Sequence, residues 1–179
     1  MARRMKGESG RTWVFLSDGE FQEGQTWEAV QALSHYRLDT IGVYIDINGQ
    51  QCDGKTCDVM NTEPLEERIM AFGGRVVKVD GHDVEALVNA GTYIPDGRPL
   101  FVLCYTDPCR GISILQERAP KLHYVRFSSP EERERYRGFL ETNFPAVPGS
   151  GTPAGPGTPA GQGTPAGPRA SAAGSRGGE

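Results

Sequence analysis

Two short segments carry oxygen donors at a spacing that could hold a divalent cation. Ser17-Asp-Gly-Glu20 follows the apolar run Thr12-Trp-Val-Phe-Leu16, and Asp46-Ile-Asn48-Gly-Gln50 follows the run Ile41-Gly-Val-Tyr-Ile45. Asp18 and Asn48 are 30 positions apart, the length of one strand–helix–strand unit. If the two runs are neighbouring strands, about 4.8 Å apart, a carboxylate oxygen and an amide oxygen converge on one ion. Mg²⁺ takes oxygen ligands at about 2.1 Å and often keeps only one or two protein side chains, with phosphate oxygens and water completing its shell. Gly19 lets backbone approach a phosphate closely. The N-terminus of the next helix adds partial positive charge. Read alone, each half is an ordinary Asp-Gly or Asn-Gly turn.

Positioning such a pair requires strands that alternate with helices, and the sequence supplies that pattern. Thr12–Leu16 and Ile41–Ile45 read as buried strands. Between them, Thr26 to Arg37 reads as a helix with Trp27, Val30, Leu33 and Leu38 as a rough apolar stripe and Gln25 or Thr26 near its cap. A polar loop spans residues 46–61. A second helix is expected from Thr62, with Thr62 as cap and Pro64 in its first turn, ending at Gly73-Gly74. Val76–Val79 is a third strand, Asp83–Ala90 a helix capped by Asp83, and Pro99–Cys104 a fourth strand. Ser129 opens a last helix to about Asn143, and Ser129 with Glu132 makes a capping-box pattern. The expected fold class is α/β, a mainly parallel sheet flanked by helices. Ligands of such sheets bind beyond the carboxyl ends of the strands.

Composition divides the 179 residues in two. Residues 148–179 hold ten of the 24 glycines and six of the 13 prolines, and no Leu, Ile, Val, Phe, Tyr or Trp. They repeat Gly-Thr-Pro-Ala-Gly from Gly151, Gly157 and Gly163. Such a stretch cannot bury enough apolar surface to offset its ordering entropy, so a disordered tail is expected there. The foldable domain is residues 8–147. The net charge of −4, from 19 basic and 23 acidic residues, argues against a nucleic-acid platform. No apolar run approaches the roughly 18 residues of a membrane span. The basic start, Met1-Ala-Arg-Arg-Met-Lys, lacks the apolar stretch of a secretory signal. Cys52 and Cys57, and Cys104 and Cys109, form two C-x4-C pairs. That spacing is loose for structural zinc, and free thiols in the cytoplasm are the expectation. His82 reads as part of a turn and helix cap, and His35 is given no role.

Several segments in order resemble the transketolase family. They are Ser17 to Ala29, Ile45 to Gly54, Phe72-Gly-Gly, Val79-Asp-Gly-His-Asp83 and Gly111 to His123. The resemblance covers about residues 8–140 and is to the N-terminal, thiamine-diphosphate-binding domain, as in the N-terminal subunit of split transketolases. It implies thiamine diphosphate and Mg²⁺ as cofactors, with Asp18, the side chain of Asn48 and the main-chain carbonyl of Gln50 as metal ligands. Gly19 and Glu20 lie where family backbone meets the diphosphate. Glu23 matches a glutamate of a proton-sharing network across a dimer. His123 aligns with a histidine that reaches the cofactor phosphates and assists proton movement. The implied activity is transfer of a two-carbon ketol unit between ketose and aldose substrates.

The sequence also departs from that family. Ser17 replaces the usual first glycine, Thr106–Gly111 lacks a Lys-Gly-Lys-Gly character, and Tyr124 stands where glycine usually follows the histidine. A carrier-bound or other non-sugar acceptor is therefore an alternative. The long upstream segment and the second domain, whose glutamate activates the cofactor, have no counterpart in the sequence. The expectation is a partial domain that needs a C-terminal subunit with the pyrimidine-binding domain, a homo-oligomer, or both. A sheet lacking its opening strands would leave an edge or apolar face for another chain to cover. A non-catalytic remnant or interaction subunit is the reading from another class.

Overall fold

The computed structural model describes residues 1–119 and 121–145; the segment 148–179, expected to be disordered, lies outside the described residues. The elements run α1 (Ala2–Met5), β1 (Thr12–Ser17), a 3-10 turn (Asp18–Gln22), α2 (Gly24–His35) and β2 (Ile41–Ile47). A small hairpin follows, β3 (Gln50–Gln51) and β4 (Gly54–Lys55), then α3 (Thr56–Val59), α4 (Leu65–Ala71) and β5 (Arg75–Asp80). The chain continues through α5 (Val84–Gly91), β6 (Leu100–Tyr105), a 3-10 turn (Ser113–Arg118) and α6 (Pro130–Asn143). The main sheet has the order β1-β2-β6-β5, and every pairing in it is parallel. The α/β expectation holds.

Strand alternation sorts the core into two layers. Val43 and Ile45 of β2 and Phe101 and Leu103 of β6 face Val30 of α2 and Leu65 and Ile69 of α4, with Phe21 completing the cluster. The opposite face carries Leu100, Val102 and Cys104 against Ala90 and Leu87 of α5. Strand β6 is covered on both sides, which is why Leu100 to Cys104 is an unbroken apolar run.

The outer strand is different. Trp13 and Phe15 stack beside Tyr44, with ring centroids 5.6 Å apart in each pair, yet Trp13 is 41 % and Phe15 77 % exposed. An apolar surface is therefore left open at β1, as the sequence led us to expect.

Several local expectations need correction. Thr62 does not cap α4; it is buried, and the helix starts at Leu65 with Pro64 in extended backbone before it. The first free amide, Leu65 N–H, donates instead to the Glu63 carboxylate at 2.8 Å. Helix α2 begins at Gly24, ahead of the expected Thr26, because Thr26 Oγ1 is engaged with the Glu20 carbonyl at 2.7 Å rather than capping. The polar loop after β2 contains the β3–β4 hairpin and α3. At α6, Ser129 Oγ accepts from Glu132 N–H at 3.2 Å, but the Glu132 carboxylate accepts from Ser128 N–H at 2.6 Å, so the box closes one residue early. Asp83 caps α5 as expected, accepting from Ala86 N–H at 3.0 Å. Gly73-Gly74 ends α4, with Gly74 N–H on the Ile69 carbonyl at 3.0 Å.

Ile69 is fully buried between α4 and the sheet. Ile69→Ala is expected to cost about 2–5 kcal/mol in urea denaturation, and Ile69→Val about 0.5–1.5. Equal, small losses would show that α4 does not hold this face of the sheet.

Candidate functional site

Strands β1 and β2 are neighbours in register, with Ser17 opposite Asp46, so Asp18 leaves the sheet beside the Asp46–Asn48 end of β2. Asp18 is only 4 % exposed. Its Oδ1 accepts from Gly19 N–H at 3.0 Å, and its Oδ2 accepts from Gly49 N–H at 2.9 Å and from Thr56 Oγ1 at 3.3 Å. The Gly49 contact joins two turns 31 positions apart. Gly49 presents its N–H from a left-handed conformation, φ +70, which costs a glycine little.

Asn48 sits beside this carboxylate but bonds elsewhere. Its Nδ2 donates to Asp46 Oδ2 at 2.8 Å, and its Oδ1 accepts from Gln50 N–H at 2.8 Å. Asp46 is fixed in turn by Thr106 Oγ1, from the end of β6, at 2.5 Å. Gly19 packs against the β3–β4 hairpin: a Cβ there would lie 3.1 Å from Gln51 Cβ and 3.8 Å from the Gln50 carbonyl oxygen. Glu20 folds back, its carboxylate accepting from Ser17 N–H at 2.6 Å.

The geometry thus gathers Asp18, Gly19, Asn48 and Gln50 at the carboxyl ends of adjoining parallel strands. The thiamine diphosphate binding domain of transketolase matches residues 7–117 of this chain. The chain belongs to the transketolase family. It is 35% identical over 140 residues to a transketolase-family protein of Sinorhizobium fredii, covering 76% of this chain and 50% of that protein. It is 34% identical over 125 residues to one subunit of the apulose-4-phosphate transketolase of Actinobacillus succinogenes, covering 69% of this chain and 45% of that one. The chain spans about half the length of the curated relatives it matches. Crystal structures of transketolase from Campylobacter jejuni and of a Pichia stipitis transketolase mutant share the fold. Their TM-scores are 0.53 and 0.52 and their identities 21% and 24%; each comparison covers 76% of this chain, and 25% and 23% of the respective transketolases.

Within this transketolase domain, the other expected residues are more open. His123 is exposed, its Nε2 is 3.3 Å from Cys52 Sγ, and its ring meets Tyr124 edge-on at 4.6 Å. Leu122 N–H donates to Gln50 Oε1 at 3.2 Å, so the segment before His123 is tied to the hairpin that carries Gln50. Glu23 is exposed at the start of α2. His82 does more than form a turn: its N–H donates to Asp80 Oδ1 at 2.9 Å, while its Nε2 accepts from Asp107 N–H at 2.8 Å.

Sequence reasoning missed Asp46. Its i, i+2 spacing from Asn48 at a strand end, which puts both side chains on one face, was the signal. Both line a cavity of about 820 Å³ that runs along the sheet past Tyr44 to Phe15. Among the described residues, no group of three or more His, Cys, Asp or Glu is placed to hold a metal ion. A cation here must therefore draw on amide, carbonyl or ligand oxygens as well. All four cysteines are free, with Cys52 and Cys57 exposed and Cys104 and Cys109 buried. Among the described residues, no helix is long and apolar enough to cross a membrane.

Burial pushes the Asp18 carboxyl above the ordinary carboxylate range; hydrogen bonds from Gly49, Thr56 and Gly19 oppose the shift and the neighbouring Asp46 adds to it. A raised folded-state value means that the folded chain binds the proton more tightly than the unfolded chain. Asp18's contribution to stability therefore falls as pH rises from about 3.9 through the raised value, then levels off. In chelator-treated buffer, wild type is expected to lose stability relative to Asp18→Asn across that window, read as urea midpoints. A difference moving in wild type's favour would show that the three donors outweigh burial.

Proposed function

We infer that this transketolase-family chain is the diphosphate- and magnesium-binding subunit of an enzyme that transfers a two-carbon ketol unit between a ketose and an aldose. The observation that carries the reading is the buried Asp18 carboxylate bonded to Gly49 N–H, which brings the two halves of the oxygen-donor set to one place. The donor chemistry fits a hard cation with phosphate. Asp18 is an anion kept from water, Asn48 Oδ1 and the Gln50 carbonyl are neutral oxygens, and an open coordination shell suits Mg²⁺. Gln51, whose Cβ would touch a Gly19 side chain, has a buried Nε2 with no partner among the described residues, a donor free for an anionic oxygen.

In this reading Asp18, the Asn48 side chain and the Gln50 carbonyl hold the metal. Asp46 positions Asn48 by accepting from its amide. Gly19 lets backbone approach the diphosphate, and Glu20 fixes the turn there by capping Ser17 N–H. Thiamine diphosphate supplies, when bound, the electron sink for breaking and forming the bond beside a ketose carbonyl. His123 stands at the open side, where it reaches phosphate or holds a proton at Nε2. Glu23, exposed at the start of α2, is placed for sharing a proton with groups of another chain. The relative from Actinobacillus succinogenes is by its name one subunit of a divided transketolase, which supports a partner chain carrying the pyrimidine-binding part. Four free thiols fit the reducing cytoplasm.

Calorimetric titration of thiamine diphosphate into the full chain, alone and co-purified with its partner chain, tests the proposal. Binding is expected only with Mg²⁺ and the partner, and is expected to be lost in Asp18→Ala. Asp46→Ala is expected to weaken it about 10–100-fold, the usual range for a group that orients a ligand. Binding that survives Asp18→Ala removes the metal assignment.

A further inference from the structure

We propose that Cys52 and His123 form a thiol–imidazole pair that makes Cys52 the reactive cysteine of the chain, a site where peroxides and small electrophiles modify it. Cys52 stands at the turn of the β3–β4 hairpin, and His123 reaches it from 71 positions away, Nε2 to Sγ, at 3.3 Å. Both side chains are exposed, so a small reagent can reach the sulfur. A second contact, Leu122 N–H to Gln50 Oε1 at 3.2 Å, runs beside the first and holds the two segments together. The pair is thus fixed by two adjacent contacts rather than being a chance approach of two surface side chains.

The thiolate is the nucleophile in cysteine chemistry, and a neighbouring imidazole favours it. With the imidazole protonated at Nδ1, Nε2 takes the thiol proton. The sulfur then attacks one peroxide oxygen, the O–O bond breaks, and the departing hydroxide takes the proton back from the imidazolium as water. Sulfur is oxidised by two electrons to the sulfenic acid and the peroxide is reduced, so the sum is thiol plus hydrogen peroxide giving sulfenic acid plus water. With iodoacetamide the sulfur bonds to carbon and iodide leaves.

The other three thiols lack this arrangement. Cys57 is exposed, but its sulfhydryl donates to the Asp58 carboxylate at 3.5 Å, which opposes loss of the proton. Cys104 and Cys109 are buried, and burial pushes both thiols up. Cys57 is therefore an internal standard, exposed like Cys52 but without the imidazole. The inference goes beyond cofactor binding and does not rest on it.

The test is pulse alkylation of the reduced, full-length chain with limiting iodoacetamide, followed by peptide mass spectrometry. Lys55 separates Cys52 and Cys57 into different tryptic peptides. Cys52 is expected to label on the order of tenfold faster than Cys57, and His123→Gln is expected to bring the ratio to about one. Unlabelled Cys104 and Cys109 report that the variant is folded, and His123→Asn repeats the measurement with a different replacement. Dimedone after brief peroxide treatment is expected to tag Cys52 ahead of Cys57. Equal labelling of Cys52 and Cys57 in wild type, or a ratio unchanged by either His123 variant, overturns the proposal.

Discussion

A carboxylate withdrawn from water must find donors or lose its charge, and this constraint organises the site end of the molecule. Asp18 is almost fully buried, and its three donors come from three places: the next residue, the Asn48-Gly49 turn and the first residue of α3. Satisfying them requires β1 and β2 to be adjacent and in register, Gly49 to turn back, and Thr56 to follow immediately after the hairpin. Thr56 N–H closes the circuit on the Gly49 carbonyl at 3.0 Å. The loop is ordered around the charge rather than the charge being placed in a finished loop. What the donors leave uncompensated, a cation can supply.

That dependence explains which features were legible in the sequence. Periodicity is set by what each element buries, so the strands and helices of the sheet could be read directly from apolar runs such as Leu100–Cys104. Asp83 was legible as a cap because its partner amide lies three residues away. Thr62 misled because capping competes with burial: the residue has the right chemistry, but the chain buries it and lets Glu63 take the amide. Ser129 and Glu132 show the same competition at smaller scale, since Ser128 offers both an amide and a hydroxyl to the Glu132 carboxylate. The β3–β4 hairpin was invisible because its strands are two residues long, too short for any alternation to register.

The site residues divide along the same line. Asp18, Gly19, Asn48 and Gln50 could be grouped from spacing because two parallel strands carry them to one end of the sheet. The roles expected of Glu23 and His123 came from resemblance, because nothing within the chain surrounds either residue. Both are exposed, as are Phe15 and part of Trp13 on the outer strand. In a chain about half the length of its curated relatives, the buried part of the site is the part that local topology can complete. The exposed part depends on surfaces of other chains or segments, and its residue types alone do not say which.

His123 carries two competing demands through one atom. Its Nε2 lies against Cys52 Sγ, and a nitrogen engaged there has no second lone pair or proton for a phosphate oxygen. Only Nδ1 or a swing of the ring could serve both partners. The hairpin settles the geometry of this choice: Gln50 holds Leu122 through its side chain while its carbonyl oxygen faces Gly19. The same two-residue strand therefore steers the imidazole and borders the oxygen-donor set. A change at the Cys52 sulfur alters the first contact of that imidazole without touching Asp18 or its donors, so thiol chemistry and anion binding are separable in the buried half of the site and coupled only at its open rim.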